Sequence, residues 1–349
     1  MNDNQEFKHF IRIIGRGQRA GRTLTQQEAF DAMTMLIEER IMPEQKGAFL
    51  MLLRVREETA EELAGFTQAF RKHTVADLGD LHVDLDMGCY AGKRRHLPWF
   101  LLAVLVLAQQ GKRIFLHGTN EPDSKRLYLN DVLPHLGFCE ATSTQMVADQ
   151  LASHGFSYMG LERVNPQLDK IIQLRAQFGL RSCANTLARI LNPSKADFSL
   201  QGVFHRQVDE KHRLTAALLQ DQNMLCFRGE GGEIEFNPER DVTLHTCRNS
   251  QEKTIDVKAF NDTRITKPKQ LIASELIAFW EGKENVYAHD AVIGTLSIML
   301  VLLDNLDWPQ AVNQAKGLWS VRNKNWPAGN SAESATTSLF DTTGKHYAH

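Results

Sequence analysis

The sequence has no Cys-x-x-Cys pair, and its cysteines (Cys89, Cys139, Cys183, Cys226 and Cys247) are scattered along the chain. That distribution excludes a zinc-finger type of site and a dense disulfide framework, and it predicts buried, reduced thiols. There is no apolar run long enough to span a membrane. The longest, Trp99–Ala108, covers half of the roughly 20 residues a helical span needs. The first residues, MNDNQEFKHF, do not form a basic-then-apolar leader, so a cytoplasmic location with no membrane partner is expected. Also missing are Gly-x-Ser-x-Gly, Gly-x-x-x-x-Gly-Lys-Ser/Thr, His-Glu-x-x-His and a Gly-x-Gly-x-x-Gly turn after a strand, and with them the commonest hydrolase, nucleotide-binding and zinc-protease devices. Charge of one sign is lacking as well: 40 Lys+Arg against 42 Asp+Glu leave a formal net charge of −2. Any attraction to nucleic acid must therefore come from a local patch. No solenoid-length repeat is present.

What is present is an ordinary globular composition, 42% hydrophobic and 23% charged over 349 residues, long enough for two domains. Residues 1–76 read as a small helical bundle. Phe7–Ile14 is one helix, Thr25 with Glu28 forms a capping box for the next, Pro43 opens a third, and Thr59 with Glu61 and Glu62 opens a fourth. The period then changes. Leu81, Val83, Leu85 and Met87 alternate as a strand, Pro98–Gln110 is an apolar helix ended by Gly111, and Arg113–His117 is a second strand. Strand, helix, strand implies a βαβ unit and a largely parallel sheet. Further helices are expected at Asn165–Phe178, Leu214–Gln220, Lys269–Trp280 and His289–Leu303. Met224–Arg228 should be a strand, Lys253–Val257 an edge strand, and 327–349 a flexible tail. The fold class is thus α/β: a small helical domain (1–76, with helices around 163–195 packing on it) and a larger α/β domain (80–160 and 196–326).

Four stretches in order carry a resemblance: Gln45–Arg54 with Glu58–Gly65, Phe115-Leu116-His117-Gly118, Asn165-Pro166 through Arg175, Gly179-Leu180-Arg181 and Asn185 to Asn192-Pro193, and Asp290-Ala291-Val292. Together they resemble the anthranilate phosphoribosyltransferase family, grouped with the pyrimidine nucleoside phosphorylases, over about 320 residues. The resemblance implies a homodimer built on the helical domain, a mainly parallel sheet, and an active site in the cleft between the domains.

The loops that carry the family's chemistry depart from its pattern. Where the family has Gly-Thr-Gly-Gly-Asp-Gly to hold the pyrophosphate of phosphoribosyl pyrophosphate on bare amides, this chain has Gly88-Cys89-Tyr90-Ala91-Gly92-Lys93-Arg94-Arg95-His96. Gly88 and Gly92 are kept, side chains fill the remainder, and three cations follow that can hold phosphate oxygens. The family's Lys-His-Gly-Asn run becomes Leu116-His117-Gly118-Thr119-Asn120, and the serine run that follows in the family is missing apart from Ser124, which precedes Lys125 and Arg126. At the family's Asp-Glu magnesium pair, an ungapped match sets Ile234 in the aspartate position of Arg228–Glu235. Glu233 and Glu235 are the candidate cation ligands if the loop shifts, and are otherwise solvated. Arg175 matches the family's substrate-carboxylate arginine, or else pairs with a nearby acid.

Asp86–Arg126 holds seven Lys+Arg against three acids, and a second cluster, His205, Arg206, Lys211, His212 and Arg213, is diluted by Asp209 and Glu210. Tyr90 beside Lys93–Arg95 suggests an aromatic face among phosphate-binding charges. The pattern resembles a divergent branch of the family that binds nucleic acid. The expectation is a catalytically degenerate protein that needs no cofactor and binds single-stranded DNA or RNA through a basic cleft. The alternatives are an active magnesium-dependent phosphoribosyltransferase that takes phosphoribosyl pyrophosphate and anthranilate or another aromatic acceptor, as in tryptophan biosynthesis, and a dimer that binds an acidic protein.

Overall fold

Helices begin in this chain where the sequence supplies a partner for the first free N–H groups. The computed structural model describes residues 3–16, 21–121, 124–249, 251–261, 268, 270–325 and 338–341. Thr25 and Thr59 each accept from the amide three residues on, and Glu28 and Glu62 reach back, completing capping boxes for α2 (Gln26–Ile37) and α4 (Ala60–Lys72). Between them, α3 (Pro43–Arg56) has proline in its first turn, and Gln45 accepts from the Met42 amide at 3.1 Å. With α1 (Asp3–Gly15), these helices bury Phe7, Phe49, Phe66 and Phe70. The same core takes in Leu168, Ile171, Leu187 and Ile190 from the later helices Pro166–Gln173 and Ala184–Ile190.

Five parallel strands follow: β1 (Leu85–Cys89), β2 (Ile114–Gly118), β3 (Phe156–Gly160), β4 (Phe198–Val203) and β5 (Asn223–Arg228). Two antiparallel ones, β6 (Val242–Arg248) and β7 (Gln251–Val257), complete a sheet of order β3-β2-β1-β4-β5-β6-β7. Helix α5 (Phe100–Gln109), apolar up to its last residue, crosses over between β1 and β2 and is buried with the 19-residue helix Val286–Asp304. That second helix is long and apolar enough to cross a membrane, but fifteen of its 19 residues are buried inside the molecule.

The expected parallel sheet, apolar crossover helix and edge strand are all present, with corrections to extent. β1 begins at Leu85, because residues 76–80 turn as a 3-10 helix and a central parallel strand is buried on both faces, so alternation does not mark it. Asn165–Phe178 is broken after Gln173, Leu214–Gln220 extends back to Val208, and β6 was not expected. Before the helix Ser274–Glu281, Gln270–Ile272 is a strand, antiparallel to Ser338–Asp341. Lys269 and most of the 327–349 tail lie outside the described residues.

After β3 the chain returns to the far side of β1 to lay down β4, so the winding reverses between β1 and β4. In open α/β sheets the crevice at the carboxyl ends of such a pair is where ligands bind. Here it is bordered by the loops after β1 (from Tyr90), β2 (from Thr119), β4 (from Phe204) and β5 (from Gly229).

Candidate functional site

The four loops are joined by their own side chains. Lys93 exchanges backbone hydrogen bonds with Leu127 at 2.7 and 2.8 Å, an antiparallel bridge that runs Arg94 and Arg95 back past Arg126 and Lys125. Gly92 lies just before it with φ +67°, a left-handed conformation that favours glycine. Its amide and that of Ala91 both point at Glu233 Oε1, at 2.5 and 2.7 Å. Two successive N–H groups aimed at one anionic oxygen are the device by which loops hold phosphate, and in this chain a carboxylate of the loop after β5 occupies it. Burial pushes the Glu233 carboxyl up, opposed by the nearby Arg189 charge.

Lys93, expected to reach a phosphate, is instead buried, with its ammonium 2.6 Å from Glu230 Oε2 and 2.5 Å from Glu235 Oε1. Burial works against its charge, but the two carboxylates outweigh it and hold the pKa above the ordinary lysine value. Burial pushes Glu235 up to about 7 despite Lys93, while its other oxygen accepts from the Phe100 amide at 2.9 Å. Glu233 and Glu235, the expected cation ligands, are therefore buried and engaged by amides and an ammonium. Among the described residues no group of three or more His, Cys, Asp or Glu is placed to hold a metal.

Tyr90 offers no open face. It is fully buried and its hydroxyl meets His117 Nδ1 at 2.5 Å, while His117 Nε2 meets Asp86 Oδ1 at 2.9 Å and Ser194 donates to Asp86 Oδ2 at 2.7 Å. The arrangement is satisfied when His117 donates from Nε2 to the carboxylate and accepts from the phenol at Nδ1. His117 is thus part of an internal chain and does not face a ligand. Gly118, the last residue of β2, has no room for a side chain, since a Cβ there would come within 2.4 Å of the Cys89 carbonyl oxygen, and Gly88 lies inside β1 opposite His117.

The remaining candidates divide by exposure. Arg126 donates to the carbonyls of Ala91 and Gly92, at 2.9 and 3.2 Å, so it fastens the first loop; burial, then Arg181, lowers its pKa. Arg175 pairs with Glu121, the nearby acid of the second reading, and Glu121 also accepts from Arg181 at 2.9 Å and Asn185 at 3.3 Å. Burial opposes the ionisation of Glu121, yet the arginines hold its carboxyl below the usual range. Arg94, Arg95 and Lys125 stay exposed, as do His205 and Arg206. His212 is buried, driven down to about 3 by burial and hence neutral, and Arg213 pairs with Glu252. Among the described acids of the site loops, Glu121, Glu230, Glu233 and Glu235 point inward, while Asp241, just before β6, is exposed and pairs with Lys258; the rim cations Arg94 and Arg95 are left beside acids that are engaged elsewhere.

Sequence reasoning missed Glu121, Glu230 and Arg181 as partners of the predicted ligands, and Phe204, which is 54% exposed at the carboxyl end of β4. The available signal for Phe204 was an aromatic immediately after a strand and before His205-Arg206.

Residues 8–74 match the glycosyl transferase family, helical bundle domain. The chain is similar to anthranilate phosphoribosyltransferases: 26% identical over 295 residues to that of Methylocella silvestris, covering 80% of this chain and 82% of the relative. Against that of Geobacillus thermodenitrificans it is 27% identical over 227 residues, covering 64% of this chain and 66% of the relative. The crystal structure of the Thermus thermophilus enzyme superposes with TM-score 0.72 at 21% identity, over 92% of this chain and 95% of that one. The Saccharomyces cerevisiae enzyme in complex with PRPP and Mg gives 0.71 at 18%, over 90% and 94%. On these likenesses the chain carries the helical bundle domain of the glycosyl transferase family and, over nine tenths of its length, the fold of the anthranilate phosphoribosyltransferases.

Proposed function

We propose that this chain is a cytoplasmic, homodimeric protein of anthranilate phosphoribosyltransferase fold that binds the phosphate backbone of single-stranded nucleic acid and has given up transfer chemistry. The observation that carries the reading is the seat of Glu233 on the Ala91 and Gly92 amides. The anion-holding amides of the switch-point loop are filled from within, and Lys93 is paired with the two neighbouring carboxylates, Glu230 and Glu235. A pyrophosphate would have to displace a buried carboxylate, and a magnesium ion a buried ammonium; breaking a buried ion pair costs about 3–5 kcal/mol. Among the described residues, Arg94, Arg95 and Lys125 on the rim make no ion pair. Phosphate contacts of this kind give affinity with little sequence readout.

A second reading, magnesium-dependent transfer of phosphoribose to anthranilate or another aromatic acceptor, is favoured by the relatives' names and by the yeast enzyme's complex with PRPP and Mg. One titration separates the two: anisotropy of a labelled single-stranded oligonucleotide at several salt concentrations, with phosphoribosyl pyrophosphate as competitor, beside an assay for pyrophosphate release with anthranilate and magnesium. The expected result is micromolar or tighter binding without release. Arg94→Ala with Arg95→Ala should weaken binding about tenfold or more, similarly for all sequences. Release of pyrophosphate without oligonucleotide binding would establish the transferase instead.

A further inference from the structure

Most of the large apolar side chains left exposed on this molecule are aliphatic: Met42, Val55, Leu180, Leu214, Leu218, Val286 and Val321. Among the described residues the exception is Phe204, 54% exposed. It stands directly after β4, at the carboxyl end of one of the two strands between which the sheet reverses its winding, where the fold presents ligands. Its backbone is fixed, since Arg228 Nε donates to its carbonyl at 3.3 Å. Gly232, with φ +91°, brings the loop after β5 so close that a Cβ there would lie 3.1 Å from the Phe204 Cβ and 3.4 Å from the Ala91 Cβ. The Cβ from which the ring extends therefore lies close to Ala91, in the loop that carries Arg94 and Arg95. Among the described residues its one aromatic neighbour is His205, edge-on at 5.0 Å and 89°, which leaves ring surface open to solvent. Arg206, two residues on, is exposed too.

We infer that Phe204 is a stacking platform for an unpaired base, whose flanking phosphates lie on Arg94 and Arg95 to one side and Arg206 to the other. This inference rests on the nucleic-acid reading and adds to it a base-contacting residue and a preference for strands with accessible bases. An aromatic face accepts any base, so it gives affinity for single strands without sequence specificity.

The test uses the full chain with Phe204→Ala and Phe204→Trp, titrated against a labelled single-stranded 20-mer and against an abasic strand of the same length. Phe204→Ala should lose about tenfold affinity for the 20-mer and less than about twofold for the abasic strand, while Phe204→Trp should bind the 20-mer like the wild type. An equal loss on both strands, or none on either, would overturn the stacking role and leave backbone binding standing. If the wild type binds neither strand, the nucleic-acid reading itself fails, and the inference with it. Because the ring is exposed, both variants should keep the wild-type circular dichroism spectrum and melting temperature.

Discussion

Three consecutive cations, Lys93, Arg94 and Arg95, have opposite fates. Lys93 is drawn inward to two carboxylates and its neighbours remain in water. No property of the lysine alone decides this. Glu230 and Glu235 arrive from a loop 137 and 142 residues further along the chain, and their burial would be prohibitive without a counter-ion. One charge between two carboxylates leaves the second imperfectly compensated, and burial raises Glu235 to about 7. A carboxyl whose folded pKa lies above its unfolded value takes up protons on folding. Its contribution to stability is full below about pH 4.5 and is lost as pH rises through about 7. Urea midpoints should therefore fall between pH 5 and pH 8. Glu235→Gln, which keeps the shape but does not ionise, should flatten that fall, and an unchanged pH dependence would show that the site is already ionised throughout.

Capping boxes of the same sequence type do different amounts of work in different elements. Glu28 caps α2 at the surface, held by Arg22, whereas Glu62 of α4 is fully buried. Besides closing its box, Glu62 accepts from the Leu24 amide at 2.8 Å and from Arg56 at 2.5 Å. Removing it strands a buried amide and a guanidinium, so Glu62→Ala should cost about 3 kcal/mol or more. Glu28→Ala should cost about 1 kcal/mol. Equilibrium unfolding of the two variants checks the difference, and equal losses would mean the buried contacts add nothing.

The same contrast explains what could be read in advance. Thr25, Pro43, Thr59 and Gly111 marked helix ends because caps are local, and the apolar run Trp99–Ala108 announced a buried crossover helix. The start of β1 was misplaced because both of its faces are covered. In β6 the alternation is brief: Val242 and Leu244 are buried, but Thr246 and Cys247 are then buried in succession. At the site, the substitution of the glycine loop was legible, while the inward turn of Lys93, the seat of Glu233 and the Arg175–Glu121 pair were not. Each depends on partners that only the sheet order brings together.

At the scale of the whole molecule, a protein of net charge −2 has no long-range field to draw in a polyanion, so binding must depend on the few cations of the crevice rim. Four acids of the surrounding loops, Glu121, Glu230, Glu233 and Glu235, are buried, and each has an internal partner. This arrangement lets a near-neutral protein keep a locally positive edge. It also fixes the salt dependence. Single strands release about 0.7 counterion for each phosphate neutralised, so four contacts from Arg94, Arg95, Lys125 and Arg206 give a slope of log K against log salt of about −3. Replacing Arg94 and Arg95 together should reduce the slope to between about −1 and −2. A wild-type slope steeper than about −6 would require many more cations than this rim supplies, and would place the strand on a different or much larger surface. A slope near zero would mean that binding, where it occurs, is not made through the phosphate backbone.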